Sequence, residues 1–132
     1  MKELSFIVPL VPPSVNHYKN KDGRSGRWYV TREALAFKSA LSTFHALSTD
    51  ADDRQVDAKE YELSVIVFLA KGQKGDGDNF FKVIADGLKE SGAIRSDAAI
   101  KRWIMEVARD VADPRTVITV REYVKGYAIN SK

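Results

Sequence analysis

Tyr61-Glu62-Leu63-Ser64-Val65-Ile66-Val67-Phe68-Leu69-Ala70 is the stretch from which the fold is read. Tyr61, Leu63, Val65, Val67 and Leu69 alternate on one face at the period of two that a β-strand imposes. Ile66 and Phe68 make the second half apolar on the other face too, the pattern of a central strand covered on both sides. Beyond it, Lys71-Gly72-Gln73-Lys74-Gly75 forms a polar loop that leads into Asp76-Gly77-Asp78-Asn79. A helix is expected from Asn79 to Glu90, burying Phe80 or Phe81 with Ile84 and Leu88. It stops near Ser91-Gly92, where glycine suits the left-handed position just past a helix.

Upstream, Leu4 to Pro9 reads as a strand with Leu4, Phe6 and Val8 on one face, and Trp28-Tyr29-Val30 as a short one. Thr31 is a good N-cap with Glu33 in the first turn. Ala34, Phe37, Leu41 and Phe44 then recur at helical spacing to about Leu47, with His45 beside the stripe as a packing or surface residue. Ser48 to Glu60 is polar and carries Asp50, Asp52, Asp53 and Asp57; it lacks the glycine and closing glutamate of an EF-hand loop and reads as a solvated linker. Ile100 to Arg109 alternates and is expected to pair with Arg115 to Tyr123 through a turn at Asp113-Pro114. The order β–β–α–β–α–β–β implies an α+β domain, a mixed sheet with two helices packed on it, whose strand order the pattern leaves open. One domain over 1–132 is expected, with a loosely held tail from Lys125.

The composition is that of an ordinary globular protein, 44% hydrophobic and 30% charged in 132 residues. No cysteine is present, which excludes disulfides and thiolate metal sites. Leu4 to Val11 lacks a basic n-region and a small-residue cleavage site and reads as a strand rather than a signal peptide, and no stretch approaches the length of a membrane span. A cytoplasmic location is therefore expected. The net charge of +3 is modest, but Lys19, Lys21, Arg24 and Arg27 cluster between His17 and Arg27 with glycine and serine among them. Such a loop suits phosphates, whose neutralisation drives binding through counterion release; the alternative is an ordinary solvated surface loop.

Asp76 and Asp78 stand at the entrance of the second helix, Lys82 one turn inside it, and Asp97 just past its exit loop. Carboxylates converging at one place suit a hard divalent cation such as Mg²⁺, and a cation beside a lysine is chemistry suited to phosphodiesters. Each residue also has an ordinary explanation. Asp78 alone serves as an N-cap, and Lys82 alone as a surface lysine paired with Asp78 or Asp86.

Together, Lys74-Gly75-Asp76-Gly77-Asp78-Asn79-Phe80-Phe81-Lys82, Asp86-Gly87-Leu88 and Ser91-Gly92 through Ser96-Asp97 resemble the RusA-type Holliday junction resolvases. Pro12-Pro13-Ser14-Val15-Asn16 with Tyr18, and Tyr29-Val30-Thr31, are similar to that family's opening. The resemblance implies a RusA-like fold, metal-binding catalytic aspartates at Asp76, Asp78 and Asp97, an essential lysine at Lys82, a small homodimer, and branched DNA as substrate. Gly75 departs from the basic residue usual there, which leaves Lys74 to contact phosphate, and Ser96 replaces the first member of an acidic pair.

The mechanism so implied is endonuclease cleavage of branched DNA with Mg²⁺ as cofactor, Mn²⁺ substituting. Lys82 would stabilise transition-state charge, and Asn79 would orient Asp78 or the phosphate. Asp86 is either a hydrogen-bonding partner of Lys82 or a plain salt-bridge residue. The rivals are a non-catalytic protein that binds DNA structure and an enzyme of nucleotide sugars; the latter usually needs a larger domain.

Overall fold

The computed structural model describes residues 3–13, 19–21, 28–73 and 80–125, with side chains from Thr31 onward and in 3–13, apart from Ala51. Four strands form one mixed sheet, β1 (Glu3–Val8), β4 (Tyr61–Leu69), β5 (Ile100–Arg109) and β6 (Arg115–Glu122), in the order β1-β6-β4-β5. The short β2 (Lys19–Lys21) and β3 (Trp28–Val30) form a separate antiparallel ladder. Helices α1 (Arg32–Ser48) and α2 (Phe81–Ser91) complete the α+β arrangement.

The alternation of β4 sets the layers. Tyr61, Leu63, Val65, Val67 and Leu69 are buried. The register places Leu63, Val65 and Val67 beside Val120, Ile118 and Thr116 of β6, which in turn lie beside Leu4, Phe6 and Val8 of β1. On that face lie Ala34, Phe37 and Leu41 of α1 and Val83, Ile84, Ala85 and Leu88 of α2, in one continuous core. Burying such side chains contributes about 1.5–3 kcal/mol each. The helices approach closely at Gly87, where a Cβ would come within 3.0 Å of Leu41 Cδ1. Thr31 Oγ1 caps α1 by accepting the Ala34 N–H. Gly92, at φ 86, ends α2 as expected, with the Ala93 N–H donating to the Leu88 carbonyl.

Three expectations are corrected. First, β5 and β6 do not form a hairpin: β5 runs parallel to β4, and β6 lies antiparallel on β4's other side. The chain segment β4–α2–β5 is thus a βαβ unit, the connection that parallel neighbours require. The Asp110-to-Pro114 connection crosses the end of β4, held by the Asp110 N–H donating to Leu69 O and by Arg115 bonding to Asp110 at 2.9 Å. That hydrogen bond holds the Asp110 carboxyl below the usual carboxylate range.

Second, β4 is central but among the described residues has helices on one face only; Ser64, Ile66 and Phe68 on the other are half-buried. Glu62 on that open face is buried because Arg102 and Arg121 flank it, at 2.9 and 3.3 Å. Third, the segment before β4 is not simply solvated. Val56 is buried and its N–H donates to Ala93 O. Arg95 donates to the carbonyls of Ala58 and Lys59.

Candidate active site

The second helix begins at Phe81, two residues later than its sequence pattern suggests; Phe80, buried in the core, stands at the N-cap position and makes no side-chain cap. Phe81 meets Trp103 of β5 edge-to-face, with ring centroids 4.4 Å apart. Lys82 follows directly. Its side chain is half exposed, and its Nζ lies 3.8 Å from the Asp86 carboxylate one turn on. At that distance the pair is an ion pair without a hydrogen bond, and exposed pairs of this kind contribute little stability.

Asp97 opens a single 3-10 turn, Asp97–Ala99, directly before β5. Ser96 caps that turn, its Oγ accepting the Ala98 N–H at 3.1 Å. This gives the serine a structural task where the resemblance would place an acid. The Asp97 side chain is exposed and forms no ion pair among the described residues. The turn lies against α2, and Trp103, six positions on, holds the first turn of that helix. Lys82 and Asp97 are thus carried by two consecutive elements that touch.

Lys74, Asp76, Asp78 and Asn79 lie outside the described residues, as do Arg24 and Arg27, and so does the N-cap reading of Asp78. Lys19 and Lys21 have a described backbone only, in β2 rather than in a loop, antiparallel to Val30 and Trp28. The ladder therefore brackets the basic segment as a hairpin. Among the described residues no group of three or more potential ligands gathers. The donor set Asp76, Asp78 and Asp97 is all carboxylate oxygen, which fits a hard cation. His45 does not belong to it: its ring is buried against Phe6, and Nε2 lies 2.7 Å from the Arg54 carbonyl.

One positioning residue escaped sequence reasoning. Arg109, at the end of β5, donates to the carbonyls of Ala70 and Gln73. Gln73 also accepts the Ala70 N–H through its side chain, and Gly72 turns the chain at φ 80. The loop that leads to Lys74 is therefore pinned from the neighbouring strand. An arginine closing an apolar strand carries no sequence signal for that contact.

Residues 9–121 match the family model described as endodeoxyribonuclease RusA. The chain belongs to the RusA family. The match takes in the β2–β3 ladder, both helices, β4 and β5, and most of β6. RusA membership implies nuclease activity of the Holliday-junction-resolving kind. No curated protein matches the chain significantly. Among the described residues no helix is long and apolar enough to cross a membrane.

Proposed function

We propose that this RusA-family chain is a Mg²⁺-dependent endodeoxyribonuclease that resolves four-way DNA junctions by paired, symmetric nicks, serving recombination and repair in the cytoplasm. The observation that carries the reading is the exposed Asp97 on a turn lying against the helix that bears Lys82, within a chain matched to the family over 9–121. Asp76, Asp78 and Asp97 are the residues to hold the cation. When bound, Mg²⁺ supplies Lewis-acid charge neutralisation at the scissile phosphate and an acidified water; Mn²⁺ has the same preference for oxygen ligands.

The remaining roles fall to the chain's own groups. Lys82 is half exposed, and its ammonium is assigned to the phosphate oxygens, where it would stabilise the charge that builds in the transition state. Asp86 lies beside it and limits where it points. Asn79 is assigned to orienting Asp78 or the phosphate. Arg109 holds the loop up to Gln73, just ahead of the acidic motif in sequence, against the end of β5. Lys19, Lys21, Arg24, Arg27 and Lys74 provide the phosphate-binding surface. A homodimer completes the reading, because a four-way junction has approximate two-fold symmetry that a C2 dimer matches.

The test is cleavage of a synthetic four-way junction beside a linear duplex of the same sequence, with and without Mg²⁺. Symmetric nicks in the junction alone, only with the cation, are expected. A stable complex that yields no product under any divalent cation would point instead to a protein that binds junctions without cutting them.

A further inference from the structure

Among the residues whose side chains are described, Trp103 is the one aromatic that stands exposed, at 37%; every phenylalanine and tyrosine among them is buried or half-buried. Its register partner on β4 is Leu63, a core residue, so the ring lies on the face of the sheet that carries the helices. There it meets Phe81 edge-to-face, and Lys82 is the next residue along that helix. The strand that bears Trp103 follows directly on the Asp97 turn. A single exposed apolar side chain is ordinary in itself. This one is set apart by its place, against the helix that carries Lys82 and on the strand into which Asp97 leads. More than a third of the indole stays in water, and that part contributes nothing to the core.

We infer that Trp103 is a specificity-determining residue, whose indole stacks on a nucleobase at the branch point of the DNA, beside the phosphate assigned to Lys82. The inference deepens the junction reading above and rests on it. Every base has a π face, so an aromatic ring stacks on any of them without reading sequence. In a linear duplex both faces of an interior base are taken by its neighbours, and drawing it out costs stacking and pairing. That cost is least for a base whose stack or pairing is already interrupted, as it is where four arms meet. Contacts to phosphate fix the DNA in place but carry no such information. A ring that needs an open base face therefore separates branched from linear DNA, a task the basic side chains cannot perform. Phe81 has its own part in this arrangement: its contact with the indole ties the stacking surface to the first turn of α2.

The chain has two tryptophans, so Trp28→Phe leaves Trp103 as the sole indole emitter. Without divalent cation, so that nothing is cut, a saturating four-way junction should quench that emission. A saturating linear duplex of the same sequence should leave it nearly unchanged. 5-Iodouracil at the branch point should photo-crosslink to Trp103, and the same base in the middle of an arm should not. Trp103→Leu should weaken junction binding by about fivefold or more. It should leave duplex binding and the salt slope as they are, because no phosphate contact is lost, and Trp103→Phe should recover most of the loss. Emission that ignores a bound junction, with no crosslink at the branch point, would overturn the inference without any variant at Trp103 having to fold. Equal losses on junction and duplex in Trp103→Leu would also overturn it, since they mark a ring that only supports the helix. Quenching that follows protein concentration instead of DNA would do the same, since a second copy then covers the ring. Mg²⁺-dependent junction cutting beside an unquenched Trp103 would sink this inference alone. A quenched Trp103 in a chain that never cuts would uphold the contact and overturn the nuclease reading.

Discussion

Phe81 and Trp103 meet edge-to-face at 4.4 Å, and this contact joins the first turn of the second helix to the strand that follows Asp97. Aromatic pairs of this geometry contribute about 0.5–1.5 kcal/mol beyond their buried area. Phe81→Leu keeps an apolar side chain and loses the ring contact. It should lower stability by roughly that amount in urea unfolding and reduce junction cleavage by more than the stability loss accounts for, because Lys82 is the next residue. Unchanged cleavage would mean that the helix start needs no support from β5.

The open face of the sheet offers a graded series. Glu62 is 6% exposed and lies between Arg102 and Arg121. Removing one member of a buried pair strands the other charge, at a cost of about 3–5 kcal/mol. Glu62→Ala and Arg102→Ala should approach that range. Arg121→Ala should cost less, because Arg121 is itself half in water. Lys101→Ala, which loosens an exposed 3.7 Å contact to Glu60, should fall within about 0.5 kcal/mol of wild type. Chemical denaturation ranks all four.

His45 should make the protein sensitive to mild acid. Burial holds its pKa below the ordinary 6.5. The folded state therefore binds this proton less readily than the unfolded chain, and stability is lost as pH falls below about 6.5 toward the folded value. Thermal unfolding should show a lower Tm at about pH 5 than at about pH 8. His45→Gln should flatten that difference. A wild-type slope in the variant would assign the effect to other groups, His17 among them.

The basic hairpin predicts salt dependence. The slope of log affinity for junction DNA against log salt should be about −0.9 for each phosphate neutralised. Replacing Arg24 and Arg27 with Ala should weaken binding to every DNA shape and flatten the slope. An unchanged slope would place the DNA elsewhere.

The sequence revealed elements more readily than neighbours. Alternation in Tyr61 to Ala70 identified β4 and its buried face, and Thr31 and Gly92 marked helix ends through their own cap chemistry. Alternation in β5 and β6 says only which residues share a face, not which strand lies alongside. The proximity of β5 and β6 in sequence suggested a hairpin, whereas the helix between β4 and β5 was the better signal, since parallel pairing needs such a crossover. The burial of Glu62 has no local signal, because the two arginines that bury it come from β5 and β6, some 40 and 59 residues on. The motif singles out Lys82 and Asp97 as candidates, whereas nothing in the sequence singles out Arg109, because its partners are backbone carbonyls that any sequence would provide.

Asp97 offers the most direct test of the central claim, that carboxylates around this helix cut DNA. Its side chain is exposed and the turn is capped by Ser96, so Asp97→Asn should fold normally with an unchanged Tm. The measurement is single-turnover cleavage of a four-way junction in Mg²⁺, with junction binding measured in its absence. The account predicts that cleavage falls by roughly two orders of magnitude or more while binding stays equal or tightens. Asp52→Asn, in the segment before β4, should leave both unchanged. Near-normal Mg²⁺-dependent cutting by Asp97→Asn would contradict the account.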